Sequence, residues 1–208
     1  MKKLNLNSLL APHIGVDEVG RGCLAGPVTA AAVIFTSNID IQKYKDSKQL
    51  SEAQRNILSE SIYKNHKLAI GWASVKEIDE LNILQASFLA MQRALEKLSS
   101  QLSLKNATVL VDGNQLIPNV GSFSQRAIIK GDQKLRLISA ASIIAKVARD
   151  KFMKNLAKNL ASELSHYGFE KHKGYGTLYH RKQIQAFGPS SWHRQSFSGV
   201  KEYVGKIQ

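Results

Sequence analysis

The sequence predicts an α/β fold: a sheet of short strands with helices packed on it. Short apolar segments recur at Ile14–Val16, Val28–Phe35, Leu68–Val75, Ala107–Val111 and Ala127–Ile129, each short enough to be a strand. Between them lies helical spacing, with Leu81, Leu84, Phe88, Met91, Leu95 and Leu98 stepping by three and four. A chain of 208 residues with 43% hydrophobic content can bury roughly 70% of its unfolded surface in one core. One domain over residues 1–208 is expected, with about 165–208 forming a C-terminal helical region that binds the substrate.

Residues 1–13 read as a short lead-in. The first strand, Ile14–Val16, runs into Asp17-Glu18 and then Gly20-Arg21-Gly22. Neighbours on a strand face opposite sides. If both acids serve one site, Asp17 sits on the strand face and Glu18 where the strand gives way to the Gly20 loop. Glycines there let backbone approach a ligand or adopt positive φ. A lone acidic pair is usually a solvated turn, but the apolar strand Val28–Phe35 follows at once and places this pair beside a sheet core. The two strands read as a hairpin joined by the glycine-rich loop.

Asp46-Ser47-Lys48 is either loop filler or a device that presents Lys48 to a phosphate. Ser51 reads as the N-cap of a helix running to about Lys64. Leu68–Val75 is the third strand. Ser74 and Glu77 then have capping-box spacing and open one helix, whose Leu81-to-Leu98 stripe is core packing. Ala107–Val111 ends in Asp112-Gly113-Asn114, and Ala127–Ile129 ends in Lys130-Gly131-Asp132. Each alone is an ordinary turn signal. Together, three short apolar strands each end in an acid. If those strands are neighbours, Asp17, Glu18, Asp112 and Asp132 gather at one rim, where open α/β sheets bind ligands.

Leu137 to about Leu164 reads as a long helix with an Ala/Ser-rich start that allows close packing on the sheet or on a ligand. Lys146, Arg149, Lys151, Lys154 and Lys158 give it a basic side, which is also what a solvated face looks like. From His166 to Phe197, basic and aromatic residues interleave. That suits stacking on bases with cations on phosphates, and it equally suits a helical lobe packed on the main domain.

Lys and Arg number 29 against 16 Asp and Glu, a formal charge of +13. Such a balance speaks of partners rather than fold, and nucleic acid is the commonest polyanion for a basic protein. Cys23 is the single cysteine, so no internal disulfide forms and a reducing, cytoplasmic setting is expected. There is no signal peptide and no run long enough to span a membrane. The histidines lack ligand spacing with cysteine, which argues against zinc. Clustered carboxylates instead suit hard cations such as Mg²⁺ or Mn²⁺, which prefer oxygen ligands and keep substrate phosphate in their shell. Two such ions about 3.5–4 Å apart can clamp an in-line displacement at phosphorus.

Gly15-Val16-Asp17-Glu18-Val19-Gly20-Arg21-Gly22, Asp46-Ser47-Lys48, Glu77-Ile78-Asp79-Glu80-Leu81-Asn82-Ile83-Leu84, Asp112-Gly113-Asn114, Lys130-Gly131-Asp132, Ser139-Ala140-Ala141-Ser142-Ile143 with Ala145-Lys146-Val147, and His172-Lys173-Gly174-Tyr175 together resemble bacterial ribonuclease HII. The resemblance runs in order from about residue 12 to 198. It implies a ribonuclease H-like fold, a central mixed sheet with helices on both faces and a C-terminal helical region. It implies an endonuclease that cuts the RNA strand of RNA–DNA hybrids and single ribonucleotides embedded in duplex DNA. Two Mn²⁺ or Mg²⁺ ions would support in-line attack of water, giving 5′-phosphate and 3′-hydroxyl ends, in ribonucleotide removal and DNA replication and repair. By the same resemblance Asp17, Glu18, Asp112 and Asp132 would be the metal-binding catalytic carboxylates. Gly20, Arg21 and Gly22 would read the ribose 2′-OH, Tyr175 would stack on the neighbouring sugar, and Lys48 would meet a phosphate.

The chain departs from the family pattern at Cys23, at Gly176, which bears on the Tyr175 loop, and at Gln133. No added N-terminal module is read, which argues against the sister type, ribonuclease HIII. A monomer is expected, and no segment readable as a replication-clamp contact stands out. Two rivals remain: a DNA junction resolvase of the same fold, and a non-catalytic nucleic-acid-binding protein that leaves the acids unexplained.

Overall fold

The computed structural model describes residues 12–205 apart from Ser103 and Lys105. The lead-in expected over residues 1–13 lies outside them except for its last two positions. The first strand, β1 (His13–Val19), is the middle of a five-stranded sheet. It pairs antiparallel with β2 (Val28–Ile34), which pairs antiparallel with β3 (Lys67–Ala73). On its other side β1 lies parallel to β4 (Thr108–Asp112), and β4 lies parallel to β5 (Ser124–Ile128). The order β3-β2-β1-β4-β5 makes the sheet mixed and sets side by side the two strands that carry Asp17 and Asp112 and the strand that leads to Asp132.

Helices cover both faces. On one face, α3 (Ile83–Gln101) buries Phe88, Met91, Leu95 and Leu98 against Ile14, Val16, Val109 and Val111. On the other, α5 (Arg136–Asn159) buries Leu137, Ile138, Ala141 and Ile144 against Ala31, Val33 and Leu110. The small residues at the start of α5 let it ride directly on the strands. α1 (Glu52–Asn65) lies on the α5 side; Ser51 and Gln54 close a capping box at its start. α4 (Gly131–Lys134), α6 (Ala161–Leu164), α7 (Phe169–His172) and α8 (Leu178–Phe187) complete the helices. Among the described residues, no helix is long and apolar enough to cross a membrane.

Four expectations need correction. The helix capped by Ser74 is not continuous. It ends as α2 (Val75–Leu81), and Asn82 takes positive φ of 71° while its side chain accepts from the Leu84 and Gln85 N–H groups. That backbone, with ψ 163°, is strained for any residue but glycine, and the Asn82 side chain offsets the strain by capping the next helix, so Leu81 falls off the stripe and stands 42% exposed. The first strand runs on through Val19, so Glu18 is a strand residue rather than a loop residue. β5 begins three residues earlier than its apolar core suggests, because Ser124–Arg126 form an edge strand in which Ser124 and Arg126 face water and Gln125 bonds the Ile117 backbone. The long helix stops at Asn159, short of Leu164.

Gly71 shows how tightly α3 sits on β3. A Cβ there would overlie the Ala90 carbonyl oxygen and stand 2.5 Å from Ala94 N. Both are helix backbone and cannot turn aside. Gly71→Ala is expected to destabilise the protein by about 3 kcal/mol through overpacking, read as a lower urea midpoint. An unchanged midpoint would mean that α3 shifts freely on the sheet.

Candidate metal centre and substrate groove

The parallel register of β1 and β4 pairs Gly15 with Leu110 and Val16 with Val111, so Asp17 and Asp112 are each the next residue along. Both follow the face that carries Gly15 and Leu110, beneath α5. Asp132 arrives differently from the sequence expectation. It sits in α4, one turn past β5, after Lys130 takes a left-handed conformation with φ 55°. Asp112 Oδ1 holds that turn, accepting from Gly131 N at 2.6 Å and Asp132 N at 3.3 Å. Carboxylate oxygens of Asp17, Asp112 and Asp132 thereby lie within 4.8 Å of one another.

Glu18 is not in that cluster. Alternation along β1 turns it toward the α3 side, where Arg21 Nη1 donates to its Oε1 at 3.1 Å. It still borders the groove of about 270 Å³ that Asp17, Gly20, Ser47, Lys48, Asp112, Lys146 and Tyr175 line.

The electrostatics favour a bound cation. Burial raises the Asp17 carboxyl well above its ordinary range, and the Glu18 and Asp112 charges push the same way. Burial also raises Glu18 and Asp112, with Asp132 adding to the latter. Lys48 answers only one of these acids, donating from Nζ to Asp132 Oδ2 at 2.9 Å. Converging buried carboxylate oxygens with so little neutralisation form a donor set that fits hard divalent ions.

Lys48 is presented, not floppy. Asp46 accepts from the Lys48 N–H at 2.9 Å and caps the turn Ser47–Gln49. Ser47 Oγ lies 2.9 Å from Ser142 Oγ on α5, and the Ser142 hydroxyl lowers the Asp17 carboxyl against the larger rise that burial imposes. From the sequence, the Ala/Ser-rich run is expected to pack closely on the sheet or on a ligand, with no role assigned to Ser142. A serine one helical turn from a basic residue on a sheet-facing helix was the available signal.

The Gly20-Arg21-Gly22 loop turns back with Cys23 N donating to Gly20 O at 3.3 Å. Arg21 and Gly22 are exposed, and Cys23 is buried opposite Tyr175 in an antiparallel bridge. The Tyr175 ring is 38% exposed, with Lys146 Nζ 5.1 Å from its centroid. The segment that ends at Gly176 is held by backbone bonds on either side of Tyr175. Tyr175 N donates to His172 O, and its carbonyl accepts from Thr177 N and from the His180 ring.

The basic side of α5 splits. Lys151 and Lys158 are solvated, Lys146 pairs with Asp150 and Lys154 with Glu52. Arg149, grouped with them by spacing, is fully buried. In the lobe, Tyr167, Phe169, His180 and His193 are core residues, while Tyr175, Tyr179, Arg181 and Lys182 face water.

A hydrogen-bond chain in this lobe has one consistent direction. Ser190 N–H donates to His193 Nδ1 at 2.9 Å, so the His193 proton is on Nε2. It donates to His180 Nε2 at 3.0 Å, which leaves His180 Nδ1–H to donate to the Tyr175 carbonyl at 2.9 Å. Burial drives His180 down to about 4 and His193 to about 3 from 6.5. Both folded values lie below the unfolded one. Their stabilisation is therefore complete above about pH 6.5 and is lost as the pH falls below it. At pH 5.5, ¹⁵N spectra are expected to show two neutral rings, His193 in the Nε2–H form and His180 in the Nδ1–H form. An imidazolium signal from either would contradict the chain.

Comparison with known proteins agrees along nearly the whole chain. The family model described as Ribonuclease HII matches residues 14–200. The chain is 50% identical over 190 residues to the ribonuclease HII of Pelagibacter ubique, covering 91% of this chain and 97% of that one. Among solved structures it is similar to a chain of the Archaeoglobus fulgidus PCNA:RNase HII complex, with TM-score 0.71 and 26% identity over 90% of this chain and 95% of that chain. The ribonuclease H2 of Pyrococcus horikoshii OT3 shares the fold, with TM-score 0.72 and 24% identity over 94% of this chain and 98% of that chain.

Proposed function

The chain belongs to the ribonuclease HII family of metal-dependent endoribonucleases, and on that premise we propose that it cuts the RNA strand of RNA–DNA hybrids and DNA duplexes carrying single ribonucleotides. The observation that carries this reading is the convergence of Asp17 from β1, Asp112 from β4 and Asp132 from the turn of α4 after β5 onto one point in a basic protein. These three carboxylates would hold two Mn²⁺ or Mg²⁺ ions, with Glu18 at the far edge. When bound, the ions would supply the positive charge and Lewis acidity that let water displace the 3′-oxygen in line, leaving 5′-phosphate and 3′-hydroxyl ends.

The chain's own residues do the rest. Asp17, Asp112 and Asp132 fix the donor geometry. Lys48 holds Asp132 and stands 75% exposed, where a phosphate oxygen can take over part of its charge. Lys146 brings a second cation to the groove beside Tyr175. The backbone of Gly20–Gly22 meets the sugar edge, and only the 2′-OH distinguishes RNA from DNA there. The Tyr175 ring stacks on the adjacent sugar.

The test uses three labelled duplexes: one ribonucleotide in DNA, a long RNA tract on DNA, and DNA alone, each with Mn²⁺, Mg²⁺ or EDTA. Metal-dependent cutting on the 5′ side of the lone ribonucleotide, with DNA intact, is the expected result. A 2′,3′-cyclic phosphate end would refute the mechanism, because it would make the 2′-OH the nucleophile.

A further inference from the structure

Arg149 and Arg194 are both fully buried, 129 and 173 residues from Gly20 and Arg21 along the chain, and neither has a carboxylate partner among the described residues. A buried guanidinium without an anion is costly unless its donors are satisfied. Backbone carbonyls accept from all three Arg149 nitrogens and from two of the three Arg194 nitrogens, and Arg194 Nη2 is buried with no hydrogen-bond partner among the described residues. Arg149 donates from Nε to Pro27 O at 2.8 Å, from Nη2 to Ala25 O at 2.9 Å and from Nη1 to Lys173 O at 2.8 Å. Arg194 donates from Nε to Gly26 O at 3.0 Å and from Nη1 to Arg21 O at 2.8 Å. Four of these five carbonyls belong to the loop after β1. The fifth lies two residues before Tyr175.

Direct backbone bonds close the same unit. Leu24 N donates to Gly174 O at 2.9 Å, Gly26 N to Trp192 O at 2.8 Å, and Arg194 N to Leu24 O at 2.8 Å. Because the peptide is planar and trans, a carbonyl drawn inward turns the N–H of the next residue outward. Arg194 draws in the Arg21 carbonyl and so aims the Gly22 N–H away from the protein. That N–H has no protein hydrogen-bond partner among the described residues, and a Cβ on Gly22 would meet nothing within 4 Å. The space beside this donor is open to a ligand.

We propose that Arg149 and Arg194 are positioning residues that join the Gly20–Pro27 loop and Tyr175 into one rigid platform, and that this platform sets the preference for a ribonucleotide over a deoxyribonucleotide. The proposal rests on the function proposed above for the same groove. Neither arginine touches the nucleic acid. Each acts through the peptide planes it holds, with a fork geometry that lysine cannot reproduce.

Two measurements test it. In Arg194→Lys, kcat/KM on the one-ribonucleotide duplex is expected to fall about tenfold, while Ki for an all-DNA duplex competing in the same assay stays within twofold. Partial unfolding would reduce the active fraction, so values are taken per folded molecule from the melting curve. An unchanged kcat/KM, or equal losses in kcat/KM and in DNA affinity, overturns the specificity role. The second measurement needs no variant and no activity. Native-state hydrogen exchange of the wild-type chain should show the Leu24, Gly26, Tyr175 and Arg194 amides opening with one shared free energy. Separate opening of Tyr175 and Gly26 overturns the platform even if Arg194→Lys fails to fold. If the wild type cuts none of the duplexes, the proposed function fails while the exchange experiment still decides whether the platform exists.

Discussion

Asp17→Asn is expected to lower cleavage at least about 1,000-fold, about 4 kcal/mol in transition-state stabilisation, while leaving duplex affinity equal or improved. Asp17 belongs to the acid cluster and is itself buried, at 5% exposure. Its carboxyl is held well above the ordinary range by burial first, then by Glu18 and Asp112. The amide keeps the shape and removes the charge that a divalent ion needs. The same change removes repulsion from the metal-free protein. With EDTA present, Asp17→Asn should therefore melt higher, by about 2–4 °C for each kcal/mol relieved. A raised carboxyl pKa means that the folded state binds more protons than the unfolded one. Metal-free wild type should thus gain stability as the pH falls toward the ordinary carboxylate range, and the variant should gain less. Added Mn²⁺ should stabilise wild type and not the variant. If Asp17→Asn cuts at the wild-type rate, the site assignment is wrong.

Gly20→Ala is expected to damage both folding and substrate reading. Gly20 has φ of +100°, which costs an alanine about 1–3 kcal/mol. The added Cβ would also press on the Arg149 side chain, 2.7 Å from its Cδ. A free arginine would swing away, but this one is anchored at Pro27, Ala25 and Lys173. A total loss of about 3 kcal/mol is expected in urea denaturation. Displacing the loop by about 1 Å can cost about 100-fold in rate, so the remaining folded protein should cut a one-ribonucleotide duplex that much more slowly. Gly22→Ala is the control for folding, because its Cβ enters open space and its φ is not in the left-handed region. It should melt like wild type. A Gly20→Ala protein as stable and active as wild type would show that Arg149 yields without consequence.

Local signals in the chain were sufficient for much of this architecture. Strand cores, the Ser51 and Ser74 caps, and the acids that follow three apolar runs are properties of neighbours in sequence, and the structure places each within a few residues of its expected position. The Asn82 break was legible in principle, since Asn before Ile-Leu is a capping signal, but the periodic stripe across it was the stronger local pattern. The Ser124–Arg126 part of β5 carries no apolar pattern, because an edge strand needs only one neighbour and little burial.

By itself the sequence determined the α/β class, the hard-oxygen character of the acids, the basic balance and the family. Only the tertiary structure decided that β1, β4 and β5 are adjacent and parallel, which brings Asp17, Asp112 and Asp132 together while the side-to-side alternation of β1 sends Glu18 to Arg21. It also decided that Arg149 and Arg194 are interior residues. Arg149 meets Ala25 across 124 positions and Arg194 meets Arg21 across 173. Periodicity along a helix or strand reports which side of an element is apolar. Which distant backbone carbonyls close over a particular side chain depends on how the crossovers pack, and no local pattern carries that information.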